Sequence, residues 1–151
     1  FVDEHRGDYA LIATTQDWHI DPGTHFSDSP DFVDTWPPHG VAGTPEAELH
    51  PALARVNAQV SVKKGQYEAA YSGFEGTTED GKTLEQALRD AGITDVDVVG
   101  LAESHCVAST AIDAAHAGFT TRVLSDLTVP VTEELGKAAR EKMRAEGVTL
   151  V

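Results

Sequence analysis

One carboxylate and three imidazoles crowd into a short part of the chain: Asp17-Trp18-His19-Ile20-Asp21-Pro22-Gly23-Thr24-His25-Phe26, then Trp36-Pro37-Pro38-His39. Asp17 and His19 are two apart, so an extended backbone points both to one face. His25 returns after a turn built on Asp21-Pro22-Gly23, and His39 follows a rigid Pro-Pro step. Mixed nitrogen and oxygen donors of this kind suit a borderline divalent ion such as zinc, iron or manganese. Histidines in loops are commonly solvated and Asp-Pro-Gly is an ordinary turn, so no single residue here says much. Their convergence beside two tryptophans carries the expectation of a metal site at Asp17, His19, His25 and His39. The remaining loop carboxylates, Asp21, Asp28, Asp31 and Asp34, read as solvated surface.

A second chemical feature is the single cysteine, in Gly100-Leu101-Ala102-Glu103-Ser104-His105-Cys106-Val107. A strand ends, the chain turns tightly, and a helix begins at or near Cys106. A thiol at a helix N-terminus feels the positive end of the dipole, which favours the thiolate. The same turn offers backbone N–H groups to an oxyanion. The alternative, a small buried hydrophobe, is a common fate of free cysteine and stays open at this point. His105 is adjacent to Cys106, and neighbours at a helix start point in different directions, so it receives no proton-transfer role.

The elements that must position these groups follow from patterning. Tyr9 to Thr14 is a nearly continuous apolar run, the mark of a strand buried on both faces. Residues 21 to 55, rich in Pro, Gly, Ser and Asp, read as a long functional loop with a short helix near Pro45 to Leu53. Gln59 to Lys64 is a second strand. Thr83 and Gln86 form a capping-box pattern opening a helix with an inward stripe of Leu84, Ala87, Leu88 and Ala91, stopped by Gly92. Val96 to Leu101 and Thr121 to Leu124 are strands, Cys106 to Ala117 and Glu133 to Glu146 helices, and Val148 to Val151 a terminal strand. Strands alternating with helices imply an α/β protein with a parallel sheet. Asp17, Lys64 and Cys106 all fall just beyond strand C-termini, where open α/β sheets assemble their sites.

Composition sets the outer limits. A chain of 151 residues, 40% hydrophobic and 24% charged, fits one globular domain with a real core. No apolar run approaches the ~20 residues of a membrane helix, and no signal peptide is visible. One cysteine excludes an internal disulfide and fits a reducing, cytoplasmic setting. A net charge of −14 argues against a phosphate-backbone partner, so neither nucleic acid nor membrane is expected. The chain opens without Met on Phe1 to Asp8, which reads as the tail of a polar helix, so residues upstream of Phe1 are expected.

The stretches TTQDWHIDPGTHFS, WPPHGVAGTPEAELHP, VKKGQYEAAYSGFEG and VVGLAESHCVASTAIDA together resemble the nicotinamidase/pyrazinamidase branch of the isochorismatase-like cysteine hydrolases, from about Tyr9 to the C-terminus. The resemblance implies a three-layer α/β/α sandwich with a mainly parallel sheet, one domain over 1–151 whose first strand is absent. It implies metal ligation by Asp17, His19, His25 and His39, and an Asp, Lys and Cys triad in which Lys64 and Cys106 fill two places; Lys63 is the neighbour that could be confused with Lys64. The family's catalytic Asp lies in a V-D-x-Q-x-D-F type strand that nothing before Asp17 matches. Asp3 and Asp8 do not fill its place, and it is expected upstream. A non-proline cis bond at Leu101–Ala102 is also implied, presenting the Ala102 and Cys106 amides to an oxyanion. Trp36 and Tyr71 correspond to aromatics around the substrate, whereas Trp18 reads as packing. Ser104 departs from the Asp that many relatives carry two positions before the cysteine. The implied reaction is hydrolysis of nicotinamide, and of pyrazinamide-type amides, to the acid and ammonia within pyridine nucleotide (NAD) salvage. The partner is then a small aromatic amide, the cofactor one divalent metal ion, and the assembly a monomer or small homo-oligomer. Rival readings are a related ureidoacrylate- or maleamate-type amidase and a catalytically incomplete metal-binding fragment.

Overall fold

The computed structural model describes residues 1–53 and 55–151. They form two compact units: Phe1–Ala70 with Glu75–Leu84, and Tyr71–Phe74 with Glu85–Val151.

The first unit opens with helix α1, Val2–His5, and a single 3-10 turn, Arg6–Asp8. The Arg6 guanidinium donates to the carbonyls of Val56 and Asn57, which ties this lead-in to the far end of the long loop. Strand β1, Ala13–Asp17, pairs in parallel with β2, Val60–Lys64, and the register sets Asp17 against Lys64. The strand expected at Tyr9 to Thr14 therefore starts and ends later, and it is not buried on both faces: Ala13 and Thr15 are exposed. Apolar density marked the run, but pairing with β2 decides its limits. The helix expected near Pro45 to Leu53 is only a 3-10 turn at Pro51–Leu53. Side-chain alternation along β2 buries Val62 and Lys64 and turns Lys63 the other way, its ammonium 3.5 Å from the centroid of the Trp18 ring. Lys63 also bridges Thr77, and the chain there comes so close that a Cβ on Gly76 would stand 2.5 Å from the Lys63 carbonyl.

The second unit is built on a parallel sheet ordered β3-β4-β5: Asp95–Leu101, Thr120–Val129 and Thr149–Leu150. Helix α2, Leu84–Asp90, precedes β3, and its stripe buries Leu84, Ala87 and Leu88 but leaves Ala91 exposed. Gly92, at φ +70°, ends it, and the Ile93 amide reaches back to the Leu88 carbonyl. Helix α3, Ala108–His116, connects β3 to β4, and α4, Glu133–Ala145, connects β4 to β5. Thr132 caps α4, its hydroxyl accepting from the Leu135 amide at 3.2 Å. Consecutive right-handed crossovers in one direction place their helices on one sheet face. In agreement, α3 and α4 share one core: Val107, Ala111 and Ile112 with Ala139 and Met143, over Val98 and Val123 of the sheet. β4 runs well past the expected Thr121 to Leu124, because a bulge in its pairing with β3 absorbs the polar residues that break the apolar pattern. Val98 faces Val123, but Gly100 faces Thr128. That irregularity lies immediately before the cysteine-bearing turn. No helix among the described residues is long and apolar enough to cross a membrane.

Candidate active site

Within the first unit the end of β1 delivers Asp17 and the chain just beyond it delivers His19. The His19 backbone is held on both sides, its amide to the Gly40 carbonyl and its carbonyl to the Ala42 amide. The 3-10 turn Gly23–His25 brings His25 back, and bonds between His25 and Trp36 and between Ser27 and Trp36 return the loop toward His39. The imidazole centroids of His19, His25 and His39 lie 4.9–5.2 Å apart, and one ring nitrogen from each falls within 4.8 Å of the others. Asp17 Oδ2 is 3.8 Å from His19 Nε2 and 3.9 Å from His39 Nε2.

Hydrogen bonding shows what these rings can do. His19 Nδ1 donates to the Gly65 carbonyl at 2.7 Å and His39 Nδ1 to the Pro37 carbonyl at 2.9 Å. With Nδ1 carrying the proton, each Nε2 presents a lone pair to the cluster. His19 Nε2 is buried and has no hydrogen-bond partner among the described residues. Burial above all, then the neighbouring His19 and His39 rings, lowers the pKa of His25 to about 4, so its ring is neutral near pH 7. Three clustered imidazoles and a carboxylate around an unsatisfied buried nitrogen fit a divalent cation.

Lys64, 2% exposed, ends β2 and directs its ammonium at Asp17 Oδ1, with a further bond to the Ala70 carbonyl at 3.2 Å. It is therefore Lys64, and not Lys63, that shares the quartet's surroundings. Trp36 stands beside this cluster, its ring 6.4 Å from that of His39 and 6.1 Å from that of Phe32.

Asp31 is more than the solvated carboxylate expected of it. Its Oδ1 accepts the amides of Val33, Asp34 and Thr35, all at 2.9 Å, and the Thr35 hydroxyl at 3.0 Å. Those amides, Val33 first, hold the carboxyl well below the usual carboxylate range. A depressed folded pKa means that the contribution is present above the unfolded value and is lost as pH falls through the folded one. The device folds the segment that carries Trp36. Asp31→Ala is expected to speed amide hydrogen exchange at Val33 to Thr35 by about tenfold or more, while Asp31→Asn, which keeps an acceptor oxygen, has a smaller effect; equal exchange in all three proteins would refute the role.

In the second unit β3 ends at Leu101, the Leu101–Ala102 peptide bond is cis, as the resemblance implied, and a helical segment begins at once. It starts three residues earlier than expected and as a π-turn, Glu103–Val107, in which the Val107 amide reaches the Ala102 carbonyl at 3.1 Å. Such π-turns recur at functional sites because the wider turn re-aims its side chains. Cys106 sits inside it, half-buried and in no disulfide, still within the first turn of the combined helix. Ser104 Oγ accepts the Val131 amide at 3.1 Å and lies 2.9 Å from His105 Nδ1, and the Tyr71 ring lies 5.3 Å from that of His105. Tyr71 is placed by its own segment, where the Gly73 amide bonds the Thr110 hydroxyl of α3 at 2.9 Å.

The structure thus gathers Asp17, His19, His25, His39, Lys64 and Trp36 in one unit and Ala102, Cys106 and Tyr71 in the other. Asp3 and Asp8 are exposed, and Asp8 pairs with His5. Patterning gives no site role to three further contributors. They are Gly65 against His19, Asp31 in its turn, and the pair of Glu103 with Arg140, bonded at 2.6 Å.

In each unit a parallel α/β strand pair ends at chemistry-bearing residues, the cysteine turn after β3 in one and the carboxylate–imidazole cluster after β1 in the other. The chain belongs to the isochorismatase domain family, whose pattern matches residues 7–151. It is 50% identical to the nicotinamidase/pyrazinamidase of Mycobacterium tuberculosis over 144 residues, 95% of this chain and 77% of that protein. Among solved structures, the Acinetobacter baumanii nicotinamidase/pyrazinamidase is 32% identical with a TM-score of 0.85, the match covering 99% of this chain and 81% of that one. The pyrazinamidase of Pyrococcus horikoshii, solved in complex with zinc, is 34% identical with a TM-score of 0.80, covering 99% of this chain and 79% of that one.

Proposed function

We propose that this protein is an amidohydrolase that converts nicotinamide, and pyrazinamide-type amides, to the corresponding acid and ammonia through a cysteine thioester, in a cytoplasmic NAD salvage setting. The supporting observation is a cysteine in a π-turn behind a strand in one unit, with a lone-pair-presenting histidine cluster in the other. The names of the relatives at 50% and 32% identity point the same way.

Asp17, His19, His25 and His39 would hold a divalent ion, zinc being the one proposed, since the Pyrococcus horikoshii relative is a zinc complex. Bound there, it would supply a Lewis-acid anchor for a heteroaromatic nitrogen. The reading assigns ring placement to these residues with Trp36 and Tyr71 as aromatic walls, and bond chemistry to the turn at Cys106. The Cys106 thiol gives its proton to the catalytic Asp that the family resemblance implies, a role given to no carboxylate of the described residues, and the thiolate adds to the amide carbon. The backbone amides of Ala102 and Cys106 receive the oxyanion. Collapse breaks the C–N bond as the base returns the proton to departing ammonia, leaving an acyl thioester. Water then adds under the same base, and the acid leaves with the thiol restored. Lys64, buried and cationic, offsets the negative charge that the thiolate and carboxylates accumulate.

The test is direct. Purified protein supplied with zinc should release nicotinate and ammonia from nicotinamide in equal amounts. Stripping it with a chelator should abolish this, and zinc should restore it. Turnover of a maleamate or ureidoacrylate with none of nicotinamide would replace this reading with the rival amidase.

A further inference from the structure

Glu103 lies between the cis peptide bond and Cys106, at the first position of the π-turn. Its side chain is 5% exposed, a depth that carboxylates reach only when paired. The partner is Arg140 of α4, whose Nη1 donates to Glu103 Oε1 at 2.6 Å, while Nη2 pairs with Glu133 at the start of the same helix. Room for the guanidinium depends on Gly136, where a Cβ would lie 3.0 Å from Arg140 Nη1 and 2.7 Å from two carbons of Pro130. A second tie joins the same turn to the segment entering α4, the Val131 amide on Ser104 Oγ.

A buried ion pair gives little net stability compared with apolar residues of equal volume, so its place in the fold matters more than its strength. Here it joins the residue that opens the nucleophile turn to a helix otherwise engaged in the core. Glu103 and Cys106 are three apart in one helical turn, so a carboxylate stripped of its cation would oppose the thiolate.

We propose that the Arg140–Glu103 pair is a positioning device for the nucleophile. Arg140, braced by Glu133, fixes the first residue of the π-turn and so sets the placement of the Cys106 thiol and amide, and its charge keeps Glu103 from opposing the thiolate. Neither residue touches substrate. The inference rests on Cys106 being the nucleophile.

Because the chain has one cysteine, alkylation by iodoacetamide at fixed pH reports Cys106 alone, independently of turnover. In Arg140→Leu, kcat for nicotinamide should fall about tenfold or more with KM within roughly twofold, and alkylation should slow by about threefold or more. Glu103→Gln, which leaves Arg140 an acceptor, should keep kcat within about threefold of wild type. The double variant Glu103→Gln/Arg140→Leu should recover the alkylation rate but not kcat, separating the charge from the geometry. Arg140→Lys stands in if Arg140→Leu does not fold, and should lose kcat because a point charge cannot bridge two carboxylates as a guanidinium does. Wild-type kcat and alkylation in a folded Arg140 variant would overturn the proposal, as would losses that merely follow the melting temperature across all variants. If wild-type protein does not hydrolyse nicotinamide, the functional reading fails, and the alkylation rates alone decide the positioning role.

Discussion

Cys106→Ala is expected to lower nicotinamide turnover by at least ~10⁴-fold, the scale seen when a covalent nucleophile is removed from a site that otherwise stays assembled. Metal content should not change. The proposed donor set Asp17, His19, His25 and His39 lies in the first unit, and Cys106 belongs to the second. The expected pattern is therefore an inactive protein with the wild-type metal stoichiometry, read by elemental analysis beside an ammonia assay. Cys106→Ser adds a finer reading: serine keeps size and hydrogen bonding but loses the acidity and polarisability that the helix start exploits, so it should also be inactive. Substantial turnover in Cys106→Ala would mean that water attacks the amide directly and that the thiol is a packing residue. Loss of metal in the same variant would refute the proposed division of roles between the thiol and the donor set.

The parts of this arrangement that sequence reading could reach share one property: the signal is local. Asp17 and His19 are separated by one residue, His25 follows a turn whose residues announce it, and Cys106 sits between a strand pattern and a helix pattern. Chemistry-bearing types at short spacing need no knowledge of the fold. Gly65, Glu103 and Arg140 were missed because their meaning is tertiary. Gly65 matters through His19, 46 residues away, and Arg140 through Glu103, 37 residues away. Asp31 was legible in principle, since Asp followed by Thr four residues later suits a side-chain-capped turn, but a carboxylate in an acidic loop looks the same when it is merely solvated. Element types were legible where apolar periodicity was strong, as in α3 and α4. Boundaries slipped where pairing overrode composition: β1 moved to the residues that match β2, and β4 continued through Ser125 and Asp126 because β3 accommodates them with a bulge.

Gly65→Ala is the substitution that tests the missed part of the metal site. Gly65 has φ +71°, and a Cβ there would fall 2.7 Å from His19 Cε1 and 2.8 Å from Nδ1. Its own carbonyl is the acceptor that fixes the His19 tautomer. A methyl group must therefore push the ring out of line, lengthen the bond that aims Nε2 at the cluster, or both. Backbone strain in the left-handed region adds about 1–2 kcal/mol whatever the ring does, so stability alone does not isolate the effect. Gly81 supplies the control, with φ +82° and nothing within 4 Å of its Cβ position. Both alanine variants should lose thermal stability, Gly65→Ala the more because its clash adds to the shared backbone strain. Only Gly65→Ala should weaken metal binding, by roughly 10–100-fold as for other substitutions that misdirect a ligating histidine, measured by competition with a chelator of known affinity. Nicotinamide KM should rise with it, since the bound ion is the proposed ring anchor, and excess zinc should recover activity in Gly65→Ala but not in His19→Ala, where the ligand itself is gone. Equal metal affinity in the Gly65 and Gly81 variants would remove His19 from the donor set, and the histidine cluster would then need another explanation.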